Sequence, residues 1–307
     1  MKFLITGANG DIAISISRIL RKHFKNSIID GTDLENIGPG EIYYNNIFKV
    51  KKPNGKNYFQ EIKKLSKPYR IIIPTTENEI MFFSKNREKF KNKIILINSK
   101  FIINTFSSKI KTYKFLKNKR FSVPNFCIRL DNIKNYKNPF FIKLDYGHGN
   151  KNYRLINSKK KFNELKYLDK RKWVAQEFLD HKYDEYTCAI IKLQSFEDAL
   201  ILKRKLAKGY TYRAEVINNV ELKNTLINLA KKINLCGSIN VQLKINKNRF
   251  AIFEINPRLS STVMMRNKMG FIDCIWWINY YLGKKLIKKK IKRNADIVKF
   301  FDEKFIN

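Results

Sequence analysis

The residues best suited to chemistry lie close together near the C-terminal third of this 307-residue chain. Glu254 and Asn256 are two apart on a predicted strand, Pro257 ends that strand, and Arg258 follows at once. Side chains two apart on a strand point to the same side. A carboxylate and an amide oxygen can therefore ligate one hard cation, and the guanidinium can bind phosphate oxygens beside it. The pattern predicts a magnesium–nucleotide site, with a plain amphipathic strand as the alternative.

Gln242, on the preceding predicted strand, can supply a third oxygen ligand. The two strands, over 237–245 and 249–255, are predicted to pair through a tight polar turn. A turn with an odd number of residues places Gln242 opposite Glu254. A two-residue turn places Gln242 on the other face of the sheet, because side chains alternate along a strand. The sequence leaves both registers open.

A lysine and a glycine loop follow another predicted strand, over 139–144. Lys143 points inward from that strand, and the loop 147–152 contains Gly147 and Gly149. A lysine four residues before a flexible glycine loop suits a clamp on nucleotide phosphates. An exposed lysine without a ligand is the alternative in a chain with 49 lysines.

A third segment has the pattern of an adenine slot. The apolar stretch 173–179 turns polar at its end, where Gln176, Glu177, Phe178 and Leu179 follow one another. Backbone groups of the last three can read a base edge. Glu185 lies across a short loop, where a carboxylate can accept hydrogen bonds from both ribose hydroxyls. A strand, a turn and a solvated acid are the alternative.

The fold must bring these segments together. Strands alternate with helices over about the first hundred residues, which predicts a small parallel sheet covered on both faces. After residue 107 the strands 172–178, 185–193 and 199–206 are predicted to form an antiparallel sheet. We therefore predict a mixed α/β and α+β chain. Its predicted domains are a Rossmann-like domain over 1–106, a small lobe with the glycine loop over 107–178 and a larger lobe with the metal site over 179–307.

Composition excludes several classes of protein. Hydrophobic residues make up 44% of the chain and aromatic residues 13%, which is typical of a globular protein with a core. The net charge of +37 invites nucleic-acid binding, but 49 of the 63 basic residues are lysines scattered over every segment. No apolar run approaches the ~18 residues of a membrane span. Four cysteines without a C-x-x-C pair, and no signal peptide, predict a cytoplasmic protein.

Taken together, these segments resemble the ATP-grasp superfamily over nearly the whole chain, and in particular the stand-alone relatives of the carbamoyl phosphate synthetase large subunit. The run from Glu254 to Arg258 is the most specific match, with Gln242 in the metal-ligand pattern of that branch. Lys143 with its glycine loop, the hinge at 176–179 and Glu185 match the phosphate, adenine and ribose segments. Lys109 falls where the family places a phosphate lysine, although Ser108 replaces the usual acid before it. Lys203 and Arg204 fall where relatives contact phosphate or acyl groups.

The resemblance implies an ATP- and Mg²⁺-dependent ligase, with Mn²⁺ as an alternative ion. A small-molecule carboxylate would be activated as an acyl phosphate, with release of ADP, and an amine or similar nucleophile would then attack. Gln242, Glu254 and Asn256 would hold the metal, whereas Lys109, Lys143 and Arg258 would neutralise the phosphates. Family members that pair as dimers make a homodimer a further expectation.

Two other classes of function compete with this interpretation. The loop 7–13 joins a strand to a helix with a G-x-x-G-x-x-A spacing, and Asp30 or Asp33 follows at the distance of a ribose ligand. With Tyr113 and Lys117 as a Y-x-x-x-K pair, it resembles NAD(P)-dependent epimerases and reductases. A tight turn that packs a helix on a sheet is the alternative for this loop. The high positive charge leaves a nucleic-acid binder as the third hypothesis.

Overall fold

The computed structural model of the protein describes residues 1–128, 139–147, 153–167, 173–207, 209–246, 249–292 and 295–300. The predicted glycine-loop residue Gly149 lies outside these ranges. So do the two turn residues Lys247 and Asn248.

The N-terminal sheet is parallel and has the strand order β3-β2-β1-β4-β5. The apolar strands at its centre are buried on both sides, as expected for a parallel sheet covered by helices. The strands are β1 (Lys2–Thr6), β2 (Ile28–Asp33), β3 (Ile47–Lys49), β4 (Ile71–Pro74) and β5 (Ile94–Ile95). The helices are α1 (Asp11–His23), α2 (Tyr58–Leu65), α3 (Glu77–Lys85) and α4 (Lys100–Phe106).

A small antiparallel sheet follows, with the order β6-β9-β7-β8. Its strands are β6 (Phe126–Cys127), β7 (Phe140–Leu144), β8 (Tyr153–Ile156) and β9 (Trp173–Glu177), with helices α5 (Lys109–Asn118) and α6 (Lys159–Asn163). The prediction that 172–178 shares a sheet with 185–193 and 199–206 is wrong. A turn at Asp180, whose carbonyl and carboxylate accept from the amides of Tyr183 and Lys182, separates β9 from the next strand.

The third sheet is antiparallel throughout and has the order β14-β13-β10-β11-β12-β15. Its strands are β10 (Asp184–Leu193), β11 (Phe196–Ala207), β12 (Tyr210–Val216), β13 (Gly237–Asn246), β14 (Arg249–Asn256) and β15 (Asp296–Val298). The helices of this part are α7 (Val220–Lys232), α8 (Val263–Lys268) and α9 (Asp273–Tyr281). The last two strands on one side of this sheet, β12 and β15, had no counterpart in the sequence-based prediction.

The cores show how the sheets are joined. One continuous apolar cluster runs from the N-terminal sheet to one face of the third sheet through α8 and α9, with Trp276 and Trp277 fully buried in it. A second cluster, around Leu226 and Leu229 of α7, covers the other face. The N-terminal and third sheets are therefore packed into one body, and the predicted fold class is confirmed.

Each sheet takes its strands from one of the three predicted segments, while the boundaries at 106 and 178 stay predictions. Within the described residues, no helix is long and apolar enough to cross a membrane.

Candidate active site

A cavity of about 560 Å³ opens where the three sheets meet. It gathers most of the residues that the sequence singled out, although they come from elements up to 149 positions apart. The predicted site residues in its lining are Lys109, Lys143, Gly147, Gln176, Phe178, Leu179, Glu185, Gln242, Glu254, Asn256 and Arg258. Glu177 is the exception among the described ones.

Gln242 and Glu254 lie directly opposite each other on β13 and β14. Only Lys247 and Asn248 separate the paired residues Asn246 and Arg249. A separation of two residues was expected to place Gln242 on the face of the sheet opposite to Glu254. A bulge at Phe253 inserts one extra residue into β14 and shifts the register between Leu243 and Gln242. Beyond the bulge the polar side chains return to the cavity face.

Further polar groups extend this face of the third sheet. Asn240 pairs with Asn256 across β13 and β14, and both side chains are buried in the cavity wall. The Thr187 hydroxyl donates to the Asn240 amide oxygen at 2.9 Å. The wall that carries Glu254 and Asn256 is therefore rich in neutral oxygen donors.

Arg204 on β11 links two of the predicted ligand-binding side chains. Its Nε and Nη2 donate to Glu185 Oε1 at 3.1 and 2.5 Å, and Nη2 also donates to Gln242 Oε1 at 2.8 Å. Lys203 points away from this cluster and pairs with Asp184 at 2.7 Å. The resemblance pointed to both Lys203 and Arg204 as phosphate or acyl contacts. Of these two, Arg204 lines the cavity and Lys203 does not.

Lys143 lies in a largely apolar setting within the cavity. Its ammonium is 5.3 Å from the centre of the Phe253 ring and 5.9 Å from that of Phe141, and it donates to Gln176 Oε1 at 2.9 Å. Burial lowers the pKa of Lys143 to about 8, although the Glu254 carboxylate opposes that shift. An ammonium held this way has few anionic partners of its own and suits an incoming phosphate.

Lys109 contacts the first residue of the predicted glycine loop. Its ammonium donates to the Gly147 carbonyl at 3.0 Å. The Asp145 carboxylate accepts from the Ser108 hydroxyl at 2.8 Å and from the Ile110 amide at 2.9 Å, so it caps α5 from the end of β7. The family usually has an acid directly before this lysine, and here the carboxylate of Asp145 from β7's end lies at the start of α5 instead. The spacing of residues around Lys109 did not predict this contact.

The hinge between the small sheet and the third sheet contributes Gln176, Phe178 and Leu179 to the cavity lining. Phe178 packs edge-on against Phe141 with ring centres 5.0 Å apart. The Leu179 carbonyl accepts from Lys244 Nζ at 2.7 Å. Glu177 turns away from the cavity, because its carboxylate pairs with Arg249 at 3.1 Å and its amide donates to Asn125.

Arg258 lies at the opposite end of the cavity, beside residues of the N-terminal sheet. Its Nη2 is 3.4 Å from Glu77 Oε1, and its Nη1 donates to the Leu259 carbonyl at 3.0 Å. Burial raises the pKa of Glu77 to about 7, with Arg258 opposing and Glu254 reinforcing the shift. The role of Glu77 was not predicted, because its partner lies 181 residues away.

The two acids predicted to bind a ribose at the N-terminal glycine loop hold hydrogen bonds within the chain. Asp33 accepts from the Asn9 amide at 2.8 Å, and Asp30 accepts from the Tyr69 hydroxyl at 2.6 Å. Gly7 adopts a φ of +68°, and a Cβ there would come within 2.7 Å of the Thr76 side chain. The loop thus reads best as the tight turn that packs a helix on the sheet.

Tyr113 does not join that loop either. It is fully buried, and its hydroxyl lies 2.6 Å from Gln176 Oε1 and 2.9 Å from the Phe253 carbonyl. Lys117 lies over the Phe126 ring at 6.0 Å. Nothing in the described part of the chain therefore supports the nicotinamide alternative.

Comparisons with known proteins agree with this fold. The profile of the ATP-grasp domain matches residues 106–262, just over half of the chain. N5-carboxyaminoimidazole synthetase from Staphylococcus aureus, in complex with ADP, superposes with a TM-score of 0.77 at 16% identity, over 96% of this chain and 80% of that one. The biotin carboxylase complex from Campylobacter jejuni gives 0.74 at 15% identity, over 96% and 74%. No curated protein matched in a search by sequence.

Proposed function

This chain belongs to the ATP-grasp family, and from that premise we propose that it is an ADP-forming ligase that activates a carboxylate for attack by an amine or similar nucleophile. The observation that carries the proposal is the cavity where the three sheets meet. It combines three cations, Lys109, Lys143 and Arg258, with the oxygen donors of Glu254 and Asn256. Such a set suits a polyphosphate with a bound metal ion.

The nucleotide base would lie at the hinge. Phe141 and Phe178 provide an apolar slot, and Leu179 supplies backbone polar groups beside it. Glu185 would accept from the ribose hydroxyls, at the point where Arg204 already orients its carboxylate. The phosphates would then run toward Lys143 and Lys109.

The side-chain oxygens of this cavity fit a Mg²⁺ ion that also binds the phosphates of ATP. Glu254 supplies a carboxylate, and Asn256 and Gln242 supply amide oxygens from the same face of the third sheet. Because this set holds one carboxylate, phosphate oxygens would complete the coordination of the ion. The Gln242 oxygen keeps a second lone pair beside its bond to Arg204. When bound, the ion would offset phosphate charge and align the γ-phosphoryl group.

The proposed reaction has two steps. A carboxylate oxygen attacks the γ-phosphorus, the bond to the bridging oxygen breaks, and ADP leaves an acyl phosphate behind. The amine lone pair then attacks the acyl carbon and releases phosphate and a proton. Lys109, Lys143 and Arg258 stabilise the charge that builds on the transferring group, which is the main demand of phosphoryl transfer.

The setting of the enzyme is a further part of the proposal. Cys127, Cys188, Cys236 and Cys274 are free thiols, which favours a reducing, cytoplasmic environment. A homodimer stays a prediction from the resemblance alone.

A thermal-shift titration with Mg·ATP, and separately with NAD(H) and NADP(H), tests the proposal. A ligand that binds only the folded protein raises its unfolding temperature by mass action. We expect a shift with ATP that needs magnesium and none with nicotinamides, followed by ADP release in a screen of carboxylates and amines. A shift with a nicotinamide and none with ATP would overturn the proposal.

A further inference from the structure

The loop that carries Arg258 is held by residues of the N-terminal sheet. Asn98, which follows β5 and is 1% exposed, donates through Nδ2 to the Pro257 carbonyl at 2.9 Å and to the Ser238 carbonyl at 2.8 Å. The main chain next to Arg258 is thus tied to the N-terminal part of the protein. The Arg258 amide also donates to the Asn256 carbonyl at 2.8 Å, which tightens the turn after β14.

The Arg258 side chain has a second anchor in the same part of the protein. Glu77 is the first residue of α3, directly after the Thr76 N-cap, and its Oε1 lies 3.4 Å from Arg258 Nη2. The side chains are only 11% and 18% exposed. Among the described residues, Arg258 Nε is buried without a partner, so the guanidinium orientation depends on the bonds of its two terminal nitrogens.

The groups that face Glu77 differ in sign. Arg258 and Lys109 attract its carboxylate, whereas Glu254 repels it and burial disfavours its charge. A stability role alone accounts poorly for such a placement, because a desolvated ion pair contributes little net stability compared with apolar packing. The pair also lies at the cavity wall, where Arg258 can meet a ligand.

From these contacts we infer that Glu77 is a positioning residue that orients the Arg258 guanidinium toward the γ-phosphoryl group and the acyl phosphate formed from it. The inference rests on the proposed function. It gives the N-terminal part of the protein a role in the reaction through the first residue of α3. Asn98 fixes the main chain and Glu77 fixes the side chain, so Arg258 is held from both ends.

The test compares two nucleotides that differ by the γ-phosphate. Calorimetry would give the dissociation constants of ADP and of the β,γ-imido analogue of ATP, each with Mg²⁺, for the full chain. In Glu77→Gln we expect the preference for the triphosphate to fall at least about fivefold while the affinity for ADP stays within about twofold. Glu79→Gln is the matched control, because Glu79 is a buried acid on the same helix that bonds Thr76 instead of Arg258.

A double-mutant cycle separates positioning from structural damage. If Glu77 acts through Arg258, Glu77→Gln changes nothing further in an Arg258→Gln background. An unchanged or increased preference for the triphosphate in Glu77→Gln, an equal loss in Glu79→Gln, or additive effects would each overturn the inference. Failure of the unaltered protein to bind either nucleotide would instead count against the proposed function.

Discussion

Gln242 faces Glu254 because β14 carries one extra residue, Phe253, between the turn and the site. Without that bulge the two-residue separation of Asn246 and Arg249 would place the glutamine opposite Phe253. Bulges commonly re-aim side chains next to active sites. Here the bulge also leaves Phe253 in the cavity lining, where its ring packs near the Lys143 ammonium.

Loss of the Glu254 carboxylate should remove the metal-dependent part of nucleotide binding. In Glu254→Ala we expect the thermal shift with ATP to become independent of magnesium and ADP formation to be abolished, with the fold intact. The reason is that Glu254 is the carboxylate of the proposed ligand set. Glu215→Ala, on the exposed side of β12, should keep both properties. An active Glu254→Ala protein would refute the metal site.

Nucleotide affinity should fall as pH rises through 8. Burial lowers the pKa of Lys143 to about 8 in the free protein, and a phosphate bound beside it favours the protonated form. The affinity for Mg·ADP should therefore drop about fivefold between pH 8 and pH 9, as one proton is taken up on binding. Calorimetry across this range measures the drop. Lys143→Arg keeps its charge, so its affinity should be nearly flat, and a flat profile for the unaltered protein would contradict the assignment.

Arg204 should contribute more to stability than its neighbour Lys203. Arg204→Gln leaves the Glu185 carboxylate and the Gln242 oxygen without their donor, which should lower the free energy of unfolding by about 1–3 kcal/mol. Lys203→Ala breaks an exposed pair with Asp184 and should cost at most about 1 kcal/mol. Urea denaturation measures the free energy of unfolding of both variants. Equal decreases would show that the contacts of Arg204 stabilise the protein no more than the exposed pair of Lys203 does.

The Asp145 cap should couple helix stability to nucleotide binding. Asp145→Ala removes the acceptor for the Ser108 hydroxyl and the Ile110 amide, which should cost about 1–2 kcal/mol of unfolding free energy. Because α5 begins with Lys109, the affinity for Mg·ADP should fall as well. Ser158→Ala, which removes the cap of the short helix α6, should lower stability without that second effect. An unchanged affinity for Mg·ADP in Asp145→Ala would show that the cap of α5 does not influence nucleotide binding.

The strand proposed to hold the metal was predictable, because Glu254 and Asn256 are two apart on β14 and Arg258 follows closely after its end. The parallel sheet at the N-terminus was predictable for the same reason, from its alternation of apolar strands and helices. At the hinge, Phe178 and Leu179 line the cavity, whereas the Glu177 carboxylate pairs with Arg249, which lies 72 residues further along the chain.

The contacts that sequence reasoning missed all join distant elements. Asp145 replaces an acid that was sought next to Lys109, and Glu77 meets Arg258 across 181 positions. The bulge at Phe253 has no glycine or proline to mark it in the sequence. Such features depend on the assembled fold, which local spacing does not describe.

The outermost strands of the third sheet determine how open its edges are to strand addition. β15 covers the edge of β12 with only three residues, and Lys299 beyond it pairs with Asp11 at the start of α1. At the other edge, the Ser122 carbonyl accepts the Ile252 amide of β14 at 2.9 Å. Unpaired edges invite strand addition from a neighbouring molecule, and a short, lysine-flanked edge discourages it. Removal of residues 295–300 would expose β12 as a template for aggregation.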